Sequence, residues 1–168
     1  MLAGVVCWEV GNLLWLGGWP VYRIIFWWIA FLVLTIAAER LELGRIIRLP
    51  RWAEILFILA AAVFLSGSLL SLAAFDAGAR LAGLGLLLLS LWLLRFDIAR
   101  KTIRQKGLPR FAATCLLSGY VWLGVSGVLG MLLGGVTAGP LYDAVLHSVL
   151  VGFVIAMIFG HAPIIFPA

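Results

Sequence analysis

Charge is scarce in this chain of 168 residues. Asp, Glu, Lys and Arg make up 11% of it, against about a quarter of an average soluble domain. So few cannot cover a globular surface, and a water-soluble fold is excluded. Cysteine is nearly absent as well. Cys7 and Cys115 stand far apart inside apolar stretches, which gives neither a disulfide framework nor a metal motif. The opening MLAGVVCWEVGNLLW has no basic start of the signal-peptide kind and reads as structure. There is no nucleophile–base constellation, phosphate loop or zinc spacing to suggest a hydrolase or kinase. What is present is apolar: 65% hydrophobic residues and a mean hydropathy of +1.19. The solvent of this chain is a lipid bilayer.

A spanning helix needs about 20 mostly apolar residues. Six runs meet or approach that length: Leu2–Gly18, Val21–Ala38, Ile55–Ala74, Leu81–Phe96, Phe111–Leu133 and Leu146–Phe166. Their hydrophobicity is continuous rather than alternating, which excludes the strands of a barrel. Gly17 to Pro20 reads as a tight turn and Phe75 to Arg80 as a short one. Pro50 breaks the connection after the second run, and Gly134 to Pro140 is an uncharged loop. The expectation is an all-α, polytopic transmembrane bundle of six helices forming a single domain over residues 1–168. The chain enters an apolar run almost at once and closes on Phe166-Pro167-Ala168 without a polar tail. That pattern is expected of part of a larger bundle.

The net charge of +5 does not imply nucleic acid, because the cations are not spread over a surface. Residues 39–54 carry Arg40, Arg45, Arg48 and Arg51, and residues 95–110 carry Arg95, Arg100, Lys101, Arg104, Lys106 and Arg110. Only Arg23 and Arg80 lie elsewhere. Cytoplasmic loops carry the Lys and Arg excess of a membrane protein. Both basic connections, and with them both termini, are therefore expected in the cytoplasm, on a multi-pass membrane protein.

Ionisable groups within a span are costly, and each is a candidate for function. Glu9 and Asn12, at i and i+3, share a face of the first helix and read either as a relay or as a pair bonded to a neighbouring helix. Arg80 and Arg95 bracket fourteen positions, about 21 Å of helix, so either the fourth span is short, with both Arg side chains snorkelling, or Arg95 and Asp97 lie within the membrane and are compensated there. Arg95 and Asp97 are expected at its inner end, with Asp97 facing Arg100 and Lys101 in a solvated extension. ERLEL reads as the charged exit of the second helix. Ser126, Gly130 and Gly134 form a small-residue stripe suited to close helix contact.

The two histidines, His147 and His161, are both on the last helix. They are fourteen residues apart, about 21 Å along the axis and, at 3.6 residues per turn, about 40° around it. One face then carries an imidazole in each leaflet, an arrangement able to offer axial ligands to two stacked haems, since neutral imidazole suits haem iron or copper. The bland alternatives are a pairing of His147 with Asp143 at i−4 and a bond from His161 to carbonyls freed by Pro163.

The strings ERLEL (39–43), WLLRFDIARKTIRQKGLPRF (92–111), GYVWL (119–123) and YDAVLHSVLVGFVIAMIFGHAPIIFP (142–167) resemble a group of bacterial polytopic membrane proteins. The last of them is similar to the histidine helices of the NnrS family and of subunit I of haem–copper oxidases, through His147, Gly152, Phe153, Met157, Ile158, Gly160 and His161. The resemblance implies haem b, with copper as a further candidate, held by transmembrane histidines in respiratory electron transfer or nitric oxide tolerance. Opposite ligands would come from a second copy or an additional membrane subunit. Two histidines cannot by themselves build an oxidase-type centre with three copper ligands. Two other classes stand beside this one: a small permease or carrier working through its intramembrane polar groups, and a structural subunit without cofactor.

Overall fold

The computed structural model describes residues 2–44 and 49–165, with side chains as far as Ala162. Arg45 and Arg48 of the first basic connection, and Phe166 to Ala168, lie outside them. Among the described residues every regular element is helical. In chain order these are α1 (Leu2–Leu16), α2 (Val21–Gly44), α3 (Arg51–Ala73), α4 (Phe75–Phe96), α5 (Ala99–Thr102), α6 (Leu108–Leu133), α7 (Pro140–His147) and α8 (Ala156–Ile165). A π-helical segment, Ser148–Ile155, joins α7 to α8, so the three run on as one helix. Five helices, counting that composite once, are long and apolar enough to cross a bilayer. The first is shorter: its 15 residues reach about 22 Å.

Two sequence-based boundaries change. Phe75 to Arg80 is the first turn and a half of α4 rather than a turn, and only Ala74 separates α3 from α4. Asp76 sits in the first turn, where a carboxylate favours the helix dipole, and it accepts from Arg80 Nε at 2.9 Å one turn on. The fourth span therefore has 22 residues, about 33 Å, and is not short. Arg80 does not snorkel alone: its NH1 donates to the carbonyls of Met131 and Leu132 at the C-terminal end of α6. The second change is the π segment, which holds more residues per turn than an α-helix and rotates α8 relative to α7.

The core is built on α4, which packs against α3, α6 and α2. Glycines set the distance. A Cβ at Gly67, Gly78 or Gly85 would overlap backbone of the partner helix in the α3–α4 hairpin, and one at Gly83 or Gly127 would do so between α4 and α6. The expected stripe on α6 divides its tasks. Gly130 lies against Gly83 of α4, Ser126 Oγ donates to the Val145 carbonyl of α7, and Gly134 ends α6 with φ of +57°. Among the described residues α1 packs on α2 only, through the buried small face of Gly4, Cys7 and Gly11.

Candidate functional site

At the end of the bundle that carries the basic connections, four helices bring polar side chains to one place. The last turns of α2 supply Glu39 and Arg40, the end of α4 supplies Asp97, α6 supplies Tyr120 and α8 supplies His161. Arg40 is 6% exposed, Asp97 5% and Tyr120 0%. Arg40 NH2 lies 3.0 Å from Glu39 Oε1 and 2.7 Å from His161 Nε2. The imidazole reads unambiguously. Its Nδ1 is 2.6 Å from the Met157 carbonyl, which can only accept, so Nδ1 carries the proton and Nε2 accepts from the guanidinium. His161 is thereby a neutral acceptor whose lone pair is occupied by Arg40.

Three buried atoms of this cluster make no hydrogen bond of ordinary geometry among the described residues: Arg40 Nε, Asp97 Oδ2 and the Tyr120 hydroxyl. Buried polar groups are nearly always paired, and one unpaired group costs about 1–3 kcal/mol. Asp97 Oδ1 is satisfied by the Ala99 N–H at 2.7 Å, the bond that starts α5, while Tyr120 faces Asp97 without closing a bond of ordinary geometry. Burial pushes the Asp97 carboxyl above its ordinary value, and the Ala99 N–H, the Arg40 charge and Tyr120 offset part of the rise. Beside the cluster a cavity of about 280 Å³, bounded by Arg40, Ala99, Leu108, Ala112 and Leu116, opens between α2, α5 and α6. Tyr120 and Asp97 can close on one another, so the group in want of a partner is Arg40 Nε, a charged donor able to take a water or a small anion.

Asp97 is thus turned inward, not out to Arg100 and Lys101 as its spacing suggested. Its contacts are Ala99, Arg40 and Tyr120 because the chain bends at Asp97, whose backbone is extended (ψ 147°). Arg95 stays exposed, with its guanidinium over the Phe96 ring at 5.2 Å. Asn12 accepts from Trp28 Nε1 of α2 at 3.2 Å, while Glu9 is exposed on α1, so the structure does not join the two in a relay. Arg40 and Tyr120 carry the cluster, and neither stood out in the sequence. One signal was available: Glu39 and Arg40 are adjacent, about 100° apart on a helix, so both cannot face the same surroundings.

The histidines do not meet on one face. His161 turns to α2, whereas His147 is exposed in an open groove of about 670 Å³ between α6 and the last helix, with Trp122, Leu129, Val151, Gly152 and Phe159. The π segment between them breaks the 3.6-residue register on which a shared face depended. The partner of His147 Nδ1 is the Asp143 backbone carbonyl at 2.7 Å, not its carboxylate, and Nε2 bonds to no described residue. No group of three or more His, Cys, Asp or Glu is placed to hold a metal among the described residues.

Fold and site together define a multi-pass helical membrane protein with a buried charge cluster near one end. The chain belongs to the family described as a domain of unknown function, DUF8744, whose model matches residues 1–168. No curated protein and no solved structure matches it.

Proposed function

We propose that the protein is a six-span carrier of a bacterial cytoplasmic membrane, with both termini in the cytoplasm, that binds a small anion at Arg40 together with a proton on Asp97. The partition of Lys and Arg supports the orientation, and the apolar composition of α1 supports counting it as a sixth span with some local thinning of the bilayer. A reporter enzyme fused after Ala168 is expected to be active only in its cytoplasmic form. Periplasmic activity would invert the whole assignment.

One observation carries the binding site: Arg40 Nε, buried without a hydrogen-bond partner among the described residues, beside Asp97 and the Tyr120 hydroxyl that face each other. While Asp97 is ionised, its charge competes with any anion for Arg40. Once protonated, it no longer competes for the guanidinium, whose NH2 stays on Glu39 and His161, and can itself donate. The carboxyl is raised, so its neutral form persists to higher pH than in a free carboxylate, and anion binding strengthens as pH falls through that raised value. The facing groups are Glu39, Arg40, Tyr120 and His161. Binding of acetate, benzoate and inorganic phosphate to the detergent-purified protein, followed by thermal shift from pH 4 to pH 8, is expected to show this dependence for at least one of them. Asp97→Asn should flatten it. An unchanged pH profile in Asp97→Asn removes the coupling.

A second reading keeps haem b at His147, in electron transfer or nitric oxide chemistry. It is supported by the ring itself: Nδ1–H is tethered to a backbone carbonyl, the usual way of orienting a ligating imidazole, and Nε2 is left free in an apolar groove. Haem bound there would supply one-electron or nitric oxide chemistry, with Trp122 and Phe159 walling it from water and a second ligand coming from another copy or subunit. His161 fits less well, because a metal would have to displace Arg40 from Nε2. Absorption spectra of protein from haem-replete cells are expected to lose the Soret band in His147→Ala and keep it in His161→Ala. A wild-type preparation without haem would falsify this reading.

A further inference from the structure

The basic connection between α4 and α6 does more than set orientation. Arg95, Arg100, Lys101 and Arg104 surround a hollow of about 510 Å³, floored by Leu49, Pro50, Trp52 and Phe96. All four cations are exposed, and none pairs with an acid among the described residues. The acid that borders the hollow, Asp97, has one oxygen held by Ala99 and the other buried. Along α3 and α4 runs a second, apolar groove of about 620 Å³ lined by Leu56, Leu59, Val63, Leu88 and Leu91. The two are continuous, since Trp52, Arg95 and Phe96 border both. Their junction is built firmly: Trp52 packs edge-on against Phe96 at 5.3 Å, Phe96 lies against Trp92 at 5.5 Å, and Arg95 covers the Phe96 ring. Arg100 NH1 donates to the Arg95 carbonyl at 3.1 Å and so leans over the hollow.

We infer that this continuous surface is a binding site for an anionic glycerophospholipid of the inner leaflet. The phosphodiester would sit among the four cations, and an acyl chain would lie in the α3–α4 groove. Free phosphate and a phospholipid headgroup share the chemistry that the cations recognise. The groove decides for the lipid, because it descends from Arg95 and Trp52 at the join into the membrane-spanning part, where its lining is apolar. Trp52, 54% exposed at the join, stands where an indole prefers to lie, at headgroup depth. Basic pockets between helices on the cytoplasmic side suit acidic headgroups, with each Lys or Arg near the surface contributing about 1 kcal/mol.

The test is native mass spectrometry of the full chain in detergent with three probes: phosphatidylglycerol, phosphatidylcholine of the same acyl chains, and inorganic phosphate. Wild type is expected to retain phosphatidylglycerol well above the other two. Lys101→Gln with Arg104→Gln, two exposed changes whose side chains hold nothing in the fold, should lower that retention about thirtyfold. Lys106→Gln with Arg110→Gln removes the same charge outside the hollow and should leave retention unchanged. Leu59→Trp should fill the groove and weaken phosphatidylglycerol alone. Equal retention of the two lipids, equal loss in both charge pairs, or phosphate bound as well as lipid would each overturn the site.

Discussion

Arg40→Met is expected to destabilise the folded protein by about 3–5 kcal/mol, the cost of removing one partner from a buried ion pair. The loss has an identifiable origin. Arg40 holds Glu39 and His161 through NH2 and places a positive charge beside Asp97, which is 5% exposed and already short of one partner. Without the guanidinium, Asp97 must either take up a proton or stay charged in an apolar surrounding. The double variant Arg40→Met, Asp97→Asn removes both charges and is expected to recover a large part of the loss, because replacing a whole buried pair by uncharged groups is often near neutral. Both variants should lose the pH-dependent anion response. Unfolding midpoints in detergent measure the first effect and the thermal-shift profile the second. A single variant as stable as wild type would mean that Arg40 is not coupled to Asp97.

That coupling could not be read along the chain. Arg40 and His161 are separated by 121 positions, and only the packing of α2 against the last helix brings them together. Asp97 has Arg100 and Lys101 at helical spacing, so local geometry argued for a solvated pair, but the extended backbone at Asp97 ended the helix on which that spacing relied. The apolar runs located the five long helices and the shorter α1, because bilayer thickness sets the length of a span. Their ends were less legible. Phe75 to Arg80 looks like a turn by composition, yet an Asp at the helix start and an Arg one turn on stabilise α4 there. The shared histidine face was misread for a third reason. A shared face assumes uniform 3.6 periodicity, and nothing in SVLVGFVI, all apolar but for Ser148 and Gly152, announces a π segment. What remained visible was chemistry without placement: two imidazoles on the last helix, each with Nδ1 tied to a carbonyl four residues back.

The α3–α4 hairpin sets two magnitudes against each other, and Gly85→Ala decides between them. By helix propensity alone the change should stabilise, since alanine is favoured over glycine by about 1 kcal/mol within a helix. Packing opposes it. A Cβ at Gly85 would overlap the Phe64 backbone, and Phe64 itself is fully buried. Backbone overlap cannot be relieved by a rotamer change, so the helices must separate. Helix association in a bilayer rests on close packing rather than on a hydrophobic drive, and overpacking of this kind costs about 1–3 kcal/mol or more. The strain does not stay local. Gly67 and Gly78 make the same approach to Ala82 and Ser71, so opening the hairpin at Gly85 loosens both neighbours and shifts the end of α4 that carries Asp97. Packing therefore wins, and Gly85→Ala should melt well below wild type with a weakened anion response. Gly160→Ala is the matched control. A Cβ there would come no closer than 3.3 Å to Ala112 and Leu116, so its melting temperature should remain near that of wild type. If Gly85→Ala instead melts above wild type, propensity has prevailed and the two helices do not pack at backbone contact in the bilayer.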